Sequence, residues 1–209
     1  MKFKSILAIG AHPDDIEFSC FGFLLKQNLS GSKINIFIAS PDSNLKGDQT
    51  DQRKQESIEA FKLIPDSKVI FRNVNKILND DYEKLSDQIR NIVIEESVDL
   101  VLVHSSINET HQEHRLLNEI TVSALRRLPV SIFLYKSPSV TNNFNSNLLI
   151  NIEEHYEIKL KAIKKHASQS DRTYMQEDAI KIFNQGWNGK LLGMDYSEEF
   201  NILRMVDNE

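Results

Sequence analysis

Cysteine is almost missing from this chain. Cys20 is the only one in 209 residues, which excludes an intramolecular disulfide and a cysteine-rich zinc site. Its neighbours Phe18, Phe21 and Phe23 mark it as a buried apolar thiol rather than a nucleophile. Long apolar runs are missing too. No stretch approaches the about 18 consecutive apolar residues of a membrane span. The apolar run from Phe3 to Ile9 goes straight into charged residues, unlike a secretory signal, so a cytoplasmic protein without a membrane span is expected. No Lys/Arg-rich block stands out and the formal charge is -5, which argues against a nucleic-acid partner held through phosphates. No Gly-x-Gly-x-x-Gly follows the first apolar run, so a nicotinamide-binding protein would lack its phosphate contact. There is no internal repeat and no low-complexity tail.

What is present is enough apolar material, 40% of residues, for one sizeable core, so residues 1–209 are expected to form a single domain. Phe3 to Ile9 has the continuous apolarity of a strand buried on both faces. A helix follows from Glu17 to Leu29, with Ser30-Gly31-Ser32 as its stop, and then a strand from Ile34 to Ala39. The polar stretch from Pro41 to Gln52 is longer than the usual connection of about 2 to 6 residues, as functional loops often are. Ile58, Ala60, Phe61 and Ile64 define the next helix, in which Arg53 reads as a solvated charge near the start. Val69 to Phe71, Asp81 to Glu95 and Asp99 to Val103 continue the alternation as strand, helix and strand. The pattern predicts a Rossmann-like three-layer α/β sandwich, its mostly parallel sheet ordered 3-2-1-4-5 with helices on both faces. Beyond it, strands are expected at Val130 to Tyr135 and Leu148 to Ile152, and a helix at Glu153 to His166 with Lys159, Lys161, Lys164 and Lys165 mostly outward. Another helix is expected at Asp178 to Trp187, and Phe200 to Val206 as a last strand or edge segment.

The chemistry concentrates in two places. Ile9-Gly10-Ala11-His12-Pro13-Asp14-Asp15-Ile16-Glu17 packs a histidine and three carboxylates at the carboxyl end of the first strand, where open α/β sheets place their ligands. Taken alone, the stretch is read equally well as a helix cap, with Asp14 or Asp15 at the N-cap and Glu17 favoured by the dipole. The second place follows the strand ending at His104. Three of the six histidines fall within eleven residues, His104, His111 and His114, with Glu113 among them. His111 and His114, three apart at a helix start, can face one way. In the expected sheet order the two strands are neighbours, so His12, Asp14 and Asp15 meet His111 and His114 in space, which capping does not explain.

Ala11-His12-Pro13-Asp14-Asp15-Ile16-Glu17 with Gly22 resembles the Ala-His-Pro-Asp-Asp-x-Glu signature of the PIG-L/LmbE-like zinc-dependent N-deacetylases. Thr110-His111-Gln112-Glu113-His114-Arg115 is similar to that family's second motif. Arg53-x-x-Glu56 with Ala60 resembles a third, and Lys159-x-x-Ala162-x-x-x-His166-x-Ser168-Gln169 a C-terminal signature. The resemblance implies a metal held by His12, Asp15 and His114, with positions open for water. The metal is expected to be Zn2+, with Fe2+ or Mn2+ as alternatives. It implies Asp14 as the general base, and His111 as a cation, held so by Glu113, that stabilises the oxyanion or protonates the leaving amine. Arg53 is implied to contact the substrate, a small N-acylated amino sugar carrying an N-acetylglucosamine unit. His104 is given a supporting role.

The chain departs from the pattern at Ser19, Phe21 and Glu113, where the family usually has glycine, glycine and aspartate. It also carries Pro41-Asp42-Ser43-Asn44 in place of a Gly-Glu-x-Gly-like loop. The loop leaves the choice of substrate open, and Ser19, Phe21 and Glu113 motivate an alternative, a catalytically silent sugar- or nucleotide-binding module on the same fold. Nothing in the sequence decides between a monomer and a homo-oligomer.

Overall fold

The computed structural model describes residues 1–41, 48–72, 77, 82–141 and 144–207, with the side chains of 48–50 left aside. Seven strands make one sheet: β1 Ser5–Gly10, β2 Lys33–Ile38, β3 Lys68–Phe71, β4 Leu100–His104, β5 Ser131–Tyr135, β6 Leu148–Asn151 and β7 Ser197–Arg204. The helices are α1 Asp15–Leu29, α2 Asp48–Phe61, α3 Tyr82–Glu95, α4 Gln112–Ala124, α5 Tyr156–Ile163, α6 Glu177–Asn184 and α7 Trp187–Leu191.

The sheet is organised by β1, whose six residues are all buried. Successive strand side chains point to opposite faces, and β1 feeds two cores in this way. Ile6 and Ala8 pack with Ile16, Phe21 and Leu24 of α1, Phe61 of α2 and Ala162 of α5. Leu7 and Ile9 pack with Leu85 and Ile89 of α3 and with Leu117 and Ile120 of α4. The result is the expected three layers. Strand β1 is parallel both to β2, with Ile6 opposite Ile34, and to β4, with Ile6 opposite Leu100. The connections therefore diverge on either side of β1, and the segments leaving β1 and β4 open the crevice where such sheets bind ligands.

The strand order is β3-β2-β1-β4-β5-β7-β6, so the expected five-strand order holds but does not end at β5. Strand β7 is the last strand along the chain, as expected, but it is not an edge of the sheet. It runs antiparallel between β5 and β6. Its start at Ser197-Glu198-Glu199 reads as non-strand because charged residues are rarely buried unless paired, yet Glu198 is fully buried against Lys159. The outward placement of Lys159 is thus corrected: its side chain is 0% exposed, with its ammonium on Glu198 and Asn184. The helix expected from Glu153 to His166 is the shorter α5 flanked by 3-10 turns at Glu153–His155 and Ala167–Gln169. The one expected from Asp178 to Trp187 is divided into α6 and α7 around Gly186. Asp42, Ser43 and Asn44 lie outside the described residues.

Candidate metal and catalytic site

The link from β1 to α1 is tight. A Cβ on Gly10 would stand 3.0 Å from Ile16 Cγ1, so the glycine lets the helix start close over the strand end. Asp14 takes the N-cap position of α1 with φ 112°, a left-handed conformation costly for a residue with a Cβ, and its side chain makes no cap hydrogen bond. The cap reading is therefore set aside for Asp14. Its strained backbone delivers a buried carboxylate to a cavity of about 280 Å³ that His12, Asp15, Arg53, His111 and His114 also line.

The donors around this cavity follow one rule, in which each ring or carboxylate spends one atom on the protein and keeps another. His12 Nε2 lies 2.9 Å from Glu113 Oε2, leaving Nδ1, 3.5 Å from Asp15 Oδ2. Asp15 Oδ2 accepts the His12 backbone N–H at 2.7 Å and lies 3.1 Å from His104 Nε2. Its Oδ1 is left 3.4 Å from His114 Nε2. His114 Nδ1 is held at 3.1 Å by Glu109 Oε2, and its Nε2 is buried with no hydrogen-bond partner. In metal sites a ligating histidine usually has its other nitrogen fixed by a carboxylate. Two histidines here, His12 and His114, have one nitrogen fixed in that way. The atoms left over, His12 Nδ1, Asp15 Oδ1 and His114 Nε2, are a two-nitrogen, one-oxygen donor set that suits a zinc-like divalent cation. Two tight groupings of donor atoms, His12 with His111 and His114, and Asp15 with His104 and His114, overlap at His114, so the expected set of His12, Asp15 and His114 is divided between them.

The electrostatics match a site shaped for a cation. Burial alone would lower the pKa of His114, yet Asp15 and Glu109 raise it to about 10. Burial likewise opposes the charge of His12, and Asp15 and Glu113 raise its pKa to about 8. Burial works against Asp15 as well, but His114 and His104 hold it well below the usual carboxylate range. His104 goes the other way. Burial and the neighbouring His114 lower it to about 4, so it is a neutral ring stacked on His114 at 3.8 Å. Asp14 is raised above an ordinary carboxyl, first by burial and then by the charge of Asp15, with Arg53 as a partial offset.

Two expectations change. Glu113 does not hold His111: its carboxylate takes His12, the Ser40 hydroxyl at 3.1 Å and the Ile77 backbone N–H at 2.9 Å. The extra methylene of glutamate reaches across to the first motif. His111, at the N-cap of α4, is accordingly not a held cation; burial and the charges of His114 and His12 lower its pKa. Nor is Arg53 a solvated charge. It is buried, and its Nη2 donates to Pro13 O at 2.9 Å and to Gln169 Oε1 at 3.1 Å, 3.7 Å from Asp14 Oδ1.

Sequence reasoning passed over Glu109, which takes the Ser137 hydroxyl and the His111 backbone N–H besides His114. Its signal was a carboxylate five residues before His114, in the loop that opens α4. Also passed over were Arg172 and Tyr174, which line the cavity from a segment with no motif of its own. The departures Ser19 and Phe21 are not among the residues that line it. Phe21 is in the core, stacked on Phe61 at 6.0 Å, and Ser19 is buried on α1.

Residues 7–125 match the family model described as PIG-L: GlcNAc-PI de-N-acetylase. A protein of Escherichia coli (strain K12), named as the uncharacterized deacetylase YaiS, is 33% identical over 177 residues, covering 80% of this chain and 92% of its own. Among solved structures, N,N'-diacetylchitobiose deacetylase from Pyrococcus horikoshii superposes with a TM-score of 0.82 at 22% identity, over 96% of this chain and 84% of that one. GalB, a 4-carboxy-2-hydroxymuconate hydratase from Pseudomonas putida KT2440, does so with a TM-score of 0.81 at 16% identity, over 99% of both. The two structures share the fold, and the hydratase shows that the fold alone does not choose a reaction. With more than half of its length matched by the family model and most of it by the Escherichia coli relative, this chain belongs to the PIG-L family.

Proposed function

We propose that this protein is a metal-dependent N-deacetylase that removes an acetyl, or related acyl, group from a small N-acylated amino sugar, N-acetylglucosaminyl compounds first among them. The observation that carries the reading is the trio of unspent donor atoms on His12, Asp15 and His114 beside the buried carboxylate of Asp14. Family membership supplies the reaction class. Zn2+ is the ion proposed, with Fe2+ or Mn2+ as alternatives.

When bound, the ion supplies Lewis acidity, bringing the pKa of a water towards about 7 and polarising the acyl carbonyl. Asp14 takes the proton that water loses, and its raised pKa makes it a better acceptor than an ordinary carboxylate. The water oxygen bonds to the acyl carbon, the carbon–nitrogen bond breaks, and Asp14 returns the proton to the departing amine. His111, a neutral ring whose Nδ1 has no partner, donates a hydrogen bond to the developing oxyanion. Arg53 clamps the Pro13 carbonyl and so holds the loop that carries His12 and Asp14. We take residues 1–209 as one catalytic domain, because β1 and β7 belong to a single sheet.

The silent-module alternative loses its motive, since neither Ser19 nor Phe21 lines the cavity and Glu113 supports His12. The test is acetate release from a panel of N-acetylglucosaminyl compounds with Zn2+ present, alongside metal content. Wild type releases acetate, and Asp14→Asn lowers turnover by about 10² to 10⁴. His12→Ala and His114→Ala fall below stoichiometric metal. Full metal in both alanine variants refutes the ligand set, and unchanged turnover in Asp14→Asn refutes the base.

A further inference from the structure

The carboxylate of Asp14 has little to fix its orientation. Its own helix does not use it as a cap, and Arg53 stands 3.7 Å away, an ion-pair distance beyond a good hydrogen bond. Among the described residues, one group donates a hydrogen bond to it. The Tyr174 hydroxyl lies 3.0 Å from Asp14 Oδ2. The same hydroxyl accepts a hydrogen bond from Arg172 Nη1 at 2.6 Å. A guanidinium can only donate, so the phenolic proton has one place left to go, and the order Arg172 to Tyr174 to Asp14 is fixed in direction.

The ring that carries the hydroxyl is itself held. Tyr174 sits in a 3-10 turn, Thr173–Met175, and meets Phe18 edge-to-face at 5.7 Å. Phe18 is four residues beyond Asp14 and its backbone N–H donates to the Asp14 carbonyl at 2.9 Å, so ring and carboxylate are referenced to the same turn of α1. Phe183 of α6 also packs on Phe18, at 4.7 Å. Arg172 is half-exposed where it lines the cavity, and its Nη1 stands 3.8 Å from Asp14 Oδ2, an ion-pair distance like that of Arg53. Arg172, Tyr174 and Phe183 lie beyond residue 125, where the family match ends, whereas Asp14 and Phe18 lie within it.

We infer that Tyr174, braced by Arg172, is a positioning residue that fixes the rotamer of Asp14, occupying Oδ2 so that Oδ1 is the oxygen that accepts the proton. The inference rests on the deacetylase reading for its consequence in turnover, but its geometry does not.

Tyr174→Phe keeps the ring against Phe18 and removes only the hydroxyl. In the metal-loaded protein kcat falls by about 10- to 100-fold, the cost of a misplaced group, while KM stays within about twofold. Metal content and thermal midpoint stay as in wild type. Arg172→Gln gives a smaller loss of the same kind, and Arg172→Lys, which still donates to the hydroxyl, restores most of it. Independently of activity, the ζ-carbon NMR signal of Tyr174, assigned by its disappearance in Tyr174→Phe, shifts in Asp14→Asn and in Arg172→Gln, with Tyr156 and Tyr196 as unmoved references. Unchanged kcat in Tyr174→Phe, a loss in KM alone, or a signal indifferent to Asp14→Asn overturns the inference. Wild type that releases no acetate while the signal responds to both variants overturns the deacetylase reading and supports the arm.

Discussion

Replacing Lys159 by methionine tests how this fold tolerates a charge at its centre. Lys159 Nζ lies 2.7 Å from Glu198 Oε1 and 2.7 Å from Asn184 Oδ1, and both charged side chains are wholly buried. Glu198 also accepts the backbone N–H groups of Gly22 at 2.8 Å and Phe23 at 2.7 Å, so four elements, α1, α5, α6 and β7, meet on one ion pair. At an effective dielectric of about 20 the gross attraction at this distance is about 6 kcal/mol. Several kcal/mol of desolvation per ion offset it, so the intact pair contributes little net stability. Removing one partner is different, because Glu198 is then left buried with only two backbone N–H groups as partners. A loss of about 3 to 5 kcal/mol is expected. For a domain of this length each kcal/mol moves the midpoint by about 2 to 4 °C, which gives a drop of about 6 to 20 °C. Urea titration monitored by circular dichroism measures the loss, and a cycle with Glu198→Gln isolates the pair. A loss below about 1 kcal/mol, or a cycle with no coupling, refutes the reasoning.

Glu109→Gln cannot satisfy the His114 ring, the Ser137 hydroxyl and the His111 N–H at once, because the amide offers one oxygen in place of two. Metal affinity, read by competition with a chromophoric chelator, weakens by about 10- to 100-fold. Burial pushes the Cys20 thiol well above its ordinary pKa, so a thiol-alkylating reagent at neutral pH modifies the folded protein only as fast as it unfolds; prompt stoichiometric labelling contradicts this.

The parts of the site that were legible in the sequence are those that sit next to regular elements. Continuous apolarity fixes β1 and β4, the crossover rules make them neighbours, and the two histidine-bearing motifs follow at their ends. What periodicity misreads is polarity turned inward. Lys159 lies on a lysine-rich helix and Arg53 on a charged one, and their burial depends on partners 39 and 116 residues away, Glu198 and Gln169. Glu113 shows a finer limit. Its place between two histidines suggests a local partner, whereas helix geometry points it to His12, 101 residues back. Arg172 and Tyr174 carry no pattern at all, because their role depends on how a 3-10 turn docks beside Phe18.

The placement of β7 has a consequence for how the molecule is made. Strand β6 pairs with β7, which comes 46 residues later, between Leu148↔Phe200 and Asn151↔Ser197, and not with β5 that precedes it. A chain emerging from the ribosome can therefore complete the β3-β2-β1-β4-β5 region, with both histidine-bearing motifs, while β6 and the ammonium of Lys159 still wait for their partners. Assembly of the sheet ends at Ser197–Arg204, so a nascent chain stopped short of that segment carries the site residues of the first two motifs on a sheet that still lacks the strand joining β5 to β6.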